Sequence, residues 1–335
     1  MPKSYTASKL FYLPCLLAFG VFCLTSSCST NSHPVYRIGI LSGLDYFSTI
    51  SDGFKEKMAE FGYIEGKNVV YDIQKSNVDI ASYQNIVKKF LDDKVDLILA
   101  FPTEASMEAK TLTKGTKTPV VAVNVFLENT GLVDSIRTPG ENITGVCWLG
   151  PNIVLKRLEI MQELVPRLSK LWVPYYRGYP ILPCQLDILK QASTSQGFSL
   201  VEIPATTPQE LESNLKQQLK ASGPPDAILL IIEPLSVTPE LFQSLGAFAD
   251  RRRIPIGGVM MSAGGYESVF GLTPQNIAQG KQAAFLVHKV FQGAPAGTVP
   301  VVSAETYLQI NYKAAIKAGL KVDEGLLNRA DEVIR

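Results

Sequence analysis

The sequence predicts an α/β protein built from two doubly wound parallel-sheet lobes that are joined by a hinge. Short β runs alternate with amphipathic helical patterns along most of the chain. Several β runs, such as "VDLILAFP" (95–102) and "DAILLIIEP" (226–234), are continuously apolar, which is typical of strands buried on both faces of a parallel sheet. About ten such strands are too many for one simple open sheet, so we expect two lobes.

The chain starts with an apolar leader. Lys3 and Lys9 precede residues 10–24, a run of about fifteen apolar residues that only Pro14 interrupts. Such a run is too short to cross about 30 Å of hydrocarbon comfortably as a helix, but it fits the hydrophobic region of a secretory signal peptide. Residues 1–27 are therefore predicted to be a signal peptide.

Cys28 directly follows the three small residues Thr25 to Ser27. This arrangement resembles the lipobox of bacterial lipoproteins, although Thr25 stands where an apolar residue is usual. The resemblance implies that Cys28 carries acyl chains such as palmitate and begins the mature protein. Residues 28–34 would then form a lipidated tether to a bacterial membrane, facing the periplasm or the cell exterior; secretion without lipid and an uncleaved anchor are the alternatives.

The first lobe is predicted to begin at residue 35 and to include residues up to 147. Its first helix has Phe54, Met58 and Phe61 on one face and stops at Gly62. Further helical patterns cover residues 80–93 and 104–114. The predicted strands are residues 36–44, 68–74, 95–102, 119–126 and 143–149.

The second lobe is predicted to begin near Trp148, where a strand leads into a new helix without a Gly/Ser linker. In that helix Leu155, Leu158 and Met161 lie on one face, and the helix ends before Pro166. The predicted strands are residues 170–176, 199–205, 226–234, 254–260 and 269–273. The predicted helices after the first are residues 185–196, 208–221, 238–252 and 276–291.

Composition and motifs argue for binding rather than catalysis. The net charge of +1 gives no electrostatic reason to expect nucleic acid. Of two histidines, His33 lies in the tether and His288 in a helical pattern, so no nucleophile–histidine arrangement is evident. Spacings typical of metal or nucleotide sites are missing, so we predict no metal, no cofactor and no enzyme. Cys147 and Cys184 are interpreted as two free thiols or one disulfide.

In open α/β sheets, ligands bind outside the carboxyl ends of the strands, where helix N-termini present free N–H groups. Thr103 is interpreted as a helix cap, a ligand contact or both, and aromatic side chains at strand ends would stack an apolar or planar ligand. The candidate ligand-binding residues are Ser42, Gly43, Asp45, Phe101, Thr103, Glu104, Asn124, Phe126, Trp148, Tyr175, Tyr176, Glu233, Met261 and Ser262.

Several stretches carry a family resemblance, among them "KVDLILAFPT" (94–103), "TPGENITGV" (138–146) and "GKQAAFLVHKVFQGAPAGTVPV" (280–301). They resemble the ABC transporter substrate-binding lipoproteins of the tryptophan/tyrosine type, which have the type 1 periplasmic binding protein fold. The resemblance implies a chain that crosses between its lobes three times. The first lobe would combine residues 35–147 with about 274–300, and the second residues 148–273 with about 301–335.

The same resemblance implies capture of a small molecule by hinge closure and delivery to an ABC permease and its ATPase. The chain departs from the family at three strand ends, where it has Phe126, the segment "YYRGYPILP" (175–183) and Glu233. A simple amino acid would place its ammonium at Glu233 and its carboxylate at Thr103 or Ser42. A larger aromatic or apolar ligand is the alternative. A ligand-sensing lipoprotein and a two-lobe α/β enzyme are the rival functions.

Overall fold

The computed structural model describes residues 35–76, 79–148, 150–179 and 181–335. The predicted signal peptide, Cys28 and the tether lie outside the described residues. Within those residues, no helix is long and apolar enough to cross a membrane. Cys147 and Cys184 are both free thiols.

The first sheet has six strands, and all neighbouring strands run parallel. Its strands are β1 (Tyr36–Ser42), β2 (Val69–Lys75), β3 (Leu97–Phe101), β4 (Val120–Val125), β5 (Ile143–Cys147) and β13 (Val302–Ser303), in the spatial order β13-β5-β4-β3-β1-β2. The helices on this sheet are α1 (Thr49–Glu60), α2 (Ile80–Asp92), α3 (Thr103–Thr113) and α9 (Asn276–Phe291). Strands β3 and β4 are buried along their whole length, as their apolar sequences require.

The second sheet has seven strands in the order β15-β14-β12-β9-β8-β6-β7, parallel except that β14 runs antiparallel to β12. The strands are β6 (Lys170–Tyr176), β7 (Ser199–Ala205), β8 (Ala227–Leu229), β9 (Ile256–Gly258), β12 (Phe270–Pro274), β14 (Thr306–Asn311) and β15 (Glu332–Ile334). The remaining helices are α4 (Gly150–Leu164), α5 (Leu182–Gln196), α6 (Pro208–Ser222), α7 (Pro234–Val237), α8 (Pro239–Asp250), α10 (Tyr312–Lys317) and α11 (Glu324–Arg329). A separate antiparallel pair joins β10 (Ser262–Ala263) to β11 (Tyr266–Glu267).

The predicted fold class, two doubly wound sheets of mainly parallel strands, is confirmed. The strand predicted over residues 226–234 is shorter than expected, because β8 ends at Leu229 and the apolar residues after it lead into α7. The late strands β14 and β15 and the helices between them have no counterpart among the elements predicted individually. Their short, mixed sequences lack the continuous apolar runs that identified the other strands.

The chain passes between the two sheets between Cys147 and Lys170, again after Pro274, and a third time after Ser303. Strand β13 pairs with β5 in the first sheet. The return to the second sheet therefore comes after Ser303 rather than at about residue 301. The other limits of the two lobes stay a prediction.

Helix α9 packs on α1 at unusually close range. A Cβ atom on Gly53 would lie 2.1 Å from the Ile277 carbonyl oxygen, and one on Gly280 would lie 2.1 Å from the Ile50 carbonyl oxygen. The two helix backbones therefore touch through a pair of glycines. This contact holds a late segment of the chain against the first sheet.

We expect Gly53→Ala to destabilise the protein. In an exposed helix the same change stabilises by about 1 kcal/mol, but here the added methyl group meets backbone atoms, and overpacking of this kind typically lowers the free energy of unfolding by about 1–3 kcal/mol. Urea denaturation followed by circular dichroism measures it. The control is Asp52→Ala, the exposed neighbour on the same helix, with an expected change within about 0.5 kcal/mol. A stabilised Gly53→Ala protein would contradict the close helix contact.

Candidate ligand-binding cleft

A small cavity lies between the two sheets, where strands of both end. The first lobe and the residues just after β5 contribute Leu44, Phe47, Pro102, Thr103, Asn124 and Trp148; the second contributes Tyr179, Ile181, Ile232, Glu233 and Pro234. The cavity has a volume of about 10 Å³, which is room for about one water molecule. The described structure therefore has its lobes together and its cleft filled by the protein's own side chains.

Thr103 is the first residue of α3, and Pro102 occupies the cap position without a side-chain hydrogen bond. The interpretation of Thr103 as the helix cap is therefore wrong. Its Oγ1 instead accepts a hydrogen bond of 3.0 Å from the backbone N–H of Phe126. This bond ties the start of α3 to the end of β4, so both contribute to the same wall of the cavity.

Asn124 lies at an irregularity in β4, where the register with β5 shifts between Val123 and Val125. Its φ of 56° is in the left-handed region, which asparagine tolerates better than most residues. The side chain is only 2% exposed, and its Nδ2 has no hydrogen-bond partner among the described residues. An amide donor is thus buried in the cavity wall and free to bind.

Aromatic side chains form part of the apolar wall. Phe47 and Trp148 line the cavity. Phe126 does not line it, but its ring is 5.1 Å from that of Trp148 at an angle of 49°, and both side chains are buried. Flat, rigid rings of this kind suit an apolar or aromatic ligand.

Glu104 is the second residue of α3 and is 5% exposed. Its Oε2 accepts a hydrogen bond of 2.7 Å from the hydroxyl of Tyr179, and its Oε1 lies 3.5 Å from the hydroxyl of Tyr83. Burial raises the pKa of the Glu104 carboxyl, which the two hydroxyls partly oppose. Burial and the neighbouring Glu104 raise the pKa of Tyr179 well above its usual value. The Tyr179–Glu104 bond joins the two lobes across the cleft.

Glu233 enters the cavity from the second lobe and caps α7. Its carboxylate accepts hydrogen bonds from the backbone N–H groups of Tyr176, Leu235 and Ser236 at 2.7, 3.0 and 2.8 Å. Burial nevertheless raises the pKa of Glu233 to about 7, because the hydrogen bonds only partly offset the loss of water. Two carboxyl groups therefore lie buried close to the cleft, one from each lobe.

Like Phe126 and Glu104, three further predicted residues lie beside the cavity without lining it. Ser42 and Phe101 are paired neighbours at the ends of β1 and β3, and both are buried. The N–H of Gly43 donates to the Phe101 carbonyl at 2.9 Å. A Cβ on Gly43 would lie 2.6 Å from both Pro102 Cδ and the Tyr83 hydroxyl, so only glycine fits.

The structure places the other predicted residues away from the cavity. Asp45 is exposed and pairs with Lys75. The Tyr175 hydroxyl donates to Glu202, and the Tyr176 side chain packs in the core of the second lobe. Both tyrosines belong to β6, which stays paired with β7 to its end, so the chain enters the cleft only after them.

Met261 and Ser262 lie beyond the end of β9. Gly258, with a φ of 110°, turns the chain there, and it continues into the β10–β11 pair on α8. Met261 is therefore part of the core of the second lobe, whereas Ser262 is exposed. Strand-end position alone was an insufficient guide, because the turn after the strand decides which way the next side chains point.

Tyr179 is the main residue of the cleft that the candidate set lacks. It follows β6 by three residues, after the turn at Gly178, which has a φ of 81°. The segment "YYRGYPILP" (175–183) departs from the family at this strand end, but the candidate ligand-binding residues include only its first two tyrosines. Ile181, which also lines the cavity, belongs to the same segment.

Two parallel-sheet lobes with a cavity between their strand ends define a two-lobed binding protein of the type 1 periplasmic fold, as the sequence resemblance implied. The sequence model of ABC transporter substrate-binding proteins matches residues 39–334. The chain belongs to this family.

Relatives agree with this assignment. A tyrosine-binding protein of Clostridioides difficile strain R20291 is 28% identical over 291 residues, covering 84% of this chain and 80% of that protein. A solved structure from Vibrio cholerae has a TM-score of 0.78 at 23% identity, and an ABC domain from Streptococcus pneumonia in complex with L-Trp has 0.76 at 21%. Each alignment covers 89% of this chain and 99% of the solved chain.

Glu233 should make the stability of the protein depend on pH. Its folded pKa of about 7 exceeds the ordinary value of 4.5, so the folded state holds the proton more tightly than the unfolded state does. This contribution to the free energy of unfolding is complete below about pH 4.5 and is lost as pH rises to about 7, by up to about 3 kcal/mol.

The measurement is urea denaturation at several pH values for wild type and Glu233→Gln. The loss of stability between pH 5 and pH 7.5 should be smaller in the variant, which keeps only the contributions of other groups such as Glu104. Glu240→Gln, an exposed site on α8, serves as the control and should follow the wild type. Equal pH dependence in all three proteins would contradict a raised pKa at Glu233.

Proposed function

We propose that this protein captures an aromatic or apolar amino acid, or a related small molecule, between its lobes and delivers it to an ABC permease. The observation that carries the proposal is the cavity, which draws its walls from both lobes and is closed by the Tyr179–Glu104 hydrogen bond. Family membership supports transport rather than another use of the fold. The aromatic wall supports an apolar ligand, and relatives that bind tyrosine or L-Trp agree with this size and class.

The proposed mechanism is hinge closure. A ligand would dock on one lobe in an open state and gain contacts from the other lobe only on closing, which shifts the population toward the closed form. The three chain crossings are the hinge. Because the described cavity holds about one water molecule, a ligand of amino-acid size requires the lobes to part or Tyr179 to move out.

The test offers the purified protein a pool of amino acids, amines, carboxylic acids and sugars, and identifies retained compounds by mass spectrometry. A retained compound should reduce the radius of gyration in small-angle X-ray scattering, because the lobes close on it. Trp148→Leu should weaken its binding at least tenfold, which corresponds to about 1.4 kcal/mol.

The matched control is Phe285→Leu, an exposed aromatic residue on α9, which should bind as the wild type does. Retention of no compound from the pool, or binding without any change in the radius of gyration, would overturn capture by closure.

We further propose that Cys28 anchors the protein to the outer face of a bacterial membrane. The six residues from 29 to 34 would span at most about 20 Å when extended. Two or more acyl chains make anchoring stable, whereas one is marginal. The tether would keep the cleft near the permease and raise its effective concentration there. The ATPase that drives import would be a separate partner.

For the anchor, Cys28→Ser is expected to abolish incorporation of labelled palmitate and to move the protein from the membrane fraction to the soluble exported fraction, since the acyl chains would have no attachment site. Cys23→Ser, a change within the leader, is the control and should leave labelling unchanged. Membrane fractionation of the Cys28→Ser protein would show that the anchor lies elsewhere.

A further inference from the structure

The described lining of the cavity contains the carboxyl group of Glu233 and no cation, and the carboxyl group of Glu104 is hydrogen-bonded to the lining residue Tyr179. Glu104 and Glu233 are 5% and 2% exposed. Burial raises the pKa values of both carboxyl groups, and hydrogen-bond donors lower them. No lysine, arginine or histidine contributes to either shift. Buried carboxylates are costly unless a positive charge or a proton accompanies them. A ligand that brings a positive charge would supply the cation that the described lining lacks.

The same two carboxyl groups occupy the places where a ligand carboxylate would otherwise bind. A helix N-terminus is the natural anion site of an α/β cleft. At the start of α3, the Glu104 carboxylate accepts a hydrogen bond from its own backbone N–H. Burial raises the pKa of Glu104, and this hydrogen bond partly lowers it. In the second lobe, three backbone N–H groups are bound to Glu233. A zwitterionic amino acid would have to place its carboxylate beside these groups.

Tyr179 shows what kind of group suits Glu104. Its ring is buried in the cavity wall, and its hydroxyl donates to Glu104 Oε2 at 2.7 Å. An aromatic body with a hydrogen-bond donor at its end is thus already held in the cleft by the chain itself. An ammonium group is a stronger donor to a carboxylate than a hydroxyl is, because the hydrogen bond is then assisted by charge.

Asn124 provides an independent observation that points to a ligand site in the cavity. Its Nδ2 is buried, lines the same cavity and has no partner among the described residues. A buried donor without an acceptor is unfavourable, because it has lost its hydrogen bonds to water without replacing them. One neutral amide suits a hydroxyl or carbonyl oxygen of the ligand, but it cannot balance the charge of a carboxylate next to two others.

We propose that the cleft takes an aromatic or apolar amine, a cation without a carboxylate, whose ammonium binds Glu104 in place of the Tyr179 hydroxyl. This specifies the ligand class of the proposed binding function and rests on it. The ligand ring packs against Trp148 and Phe47, and an oxygen of the ligand accepts from Asn124 Nδ2. Glu104 then determines specificity between an amine and the amino acid that carries the same ring.

The test is isothermal titration calorimetry with full-length protein and probes that share a ring but differ in charge: tyramine, L-tyrosine, 3-(4-hydroxyphenyl)propionate and p-cresol, with tryptamine and L-tryptophan as a second series. Each amine should bind at least tenfold more tightly than its amino acid, or about 1.4 kcal/mol. The propionate should bind most weakly, because it brings only a negative charge to the two carboxyl groups.

Glu104→Gln keeps the shape of the side chain and removes its charge. It should lower amine affinity at least tenfold and reduce the preference over the amino acid. The matched control is Glu108→Gln, one turn later on α3, where the carboxylate accepts a hydrogen bond from Gln84. The amine and its amino acid should bind this variant as they bind the wild type. Tyr179→Phe removes the competing hydroxyl and should raise amine affinity severalfold, whereas a purely structural role of Tyr179 predicts a loss.

The outcomes separate this inference from the function on which it rests. If L-tyrosine or L-tryptophan binds as tightly as its amine or more tightly, the amine assignment is overturned while capture of a small molecule stands. Failure of both amines to bind overturns it as well. Retention of no compound at all from the mixed pool counts against the binding function itself.

Discussion

The architecture depends on the backbone contact between α1 and α9. Gly53 and Gly280 let the two helices approach until a single methyl group would meet a carbonyl oxygen. Through this contact a segment that lies between the second-sheet strands β12 and β14 in sequence is held on the first sheet, so the chain has to cross between the lobes more than once. Several crossings suit the proposed hinge closure, because a single linker would leave the lobes free to rotate. The geometry of the cleft therefore depends on these crossings.

The cleft shows a second constraint, which is electrostatic. Parallel strands and the helices after them bring helix N-termini to the cavity from both sides, and such positions favour negative charge. In this chain Glu104 and Glu233 supply that charge themselves, with backbone N–H groups as partners. Burial raises the pKa values of both carboxyl groups, whereas hydrogen bonds from backbone N–H groups stabilise their charged forms. The groups that stabilise the fold locally are thereby the ones from which we infer the charge of the ligand.

The sequence predicted the sheets better than the cleft. The β runs identified all ten strands expected between residues 36 and 273, several of them through continuous apolar sequence, since burial on both faces excludes polar residues. Of the candidate site residues, Thr103, Asn124, Trp148 and Glu233 line the cavity, while Asp45, Tyr175 and Ser262 do not. Tyr179 was missed because a three-residue turn, rather than the end of β6, brings it into the cleft. Local turn geometry leaves a weaker pattern in the sequence than burial does.

Hydrophobic patterning by itself determined the fold class, the number of lobes and the end of each sheet at which a ligand site forms, because these follow from which segments must leave water and which way parallel strands run. Only the tertiary structure decided which side chains meet there. The Tyr179–Glu104 bond joins residues 75 positions apart in the chain. The absence of a cation from the described lining of the cavity depends likewise on how the two lobes pack. Such contacts depend on how segments that are distant in the sequence pack together. The periodicity of any one segment carries no information about that packing.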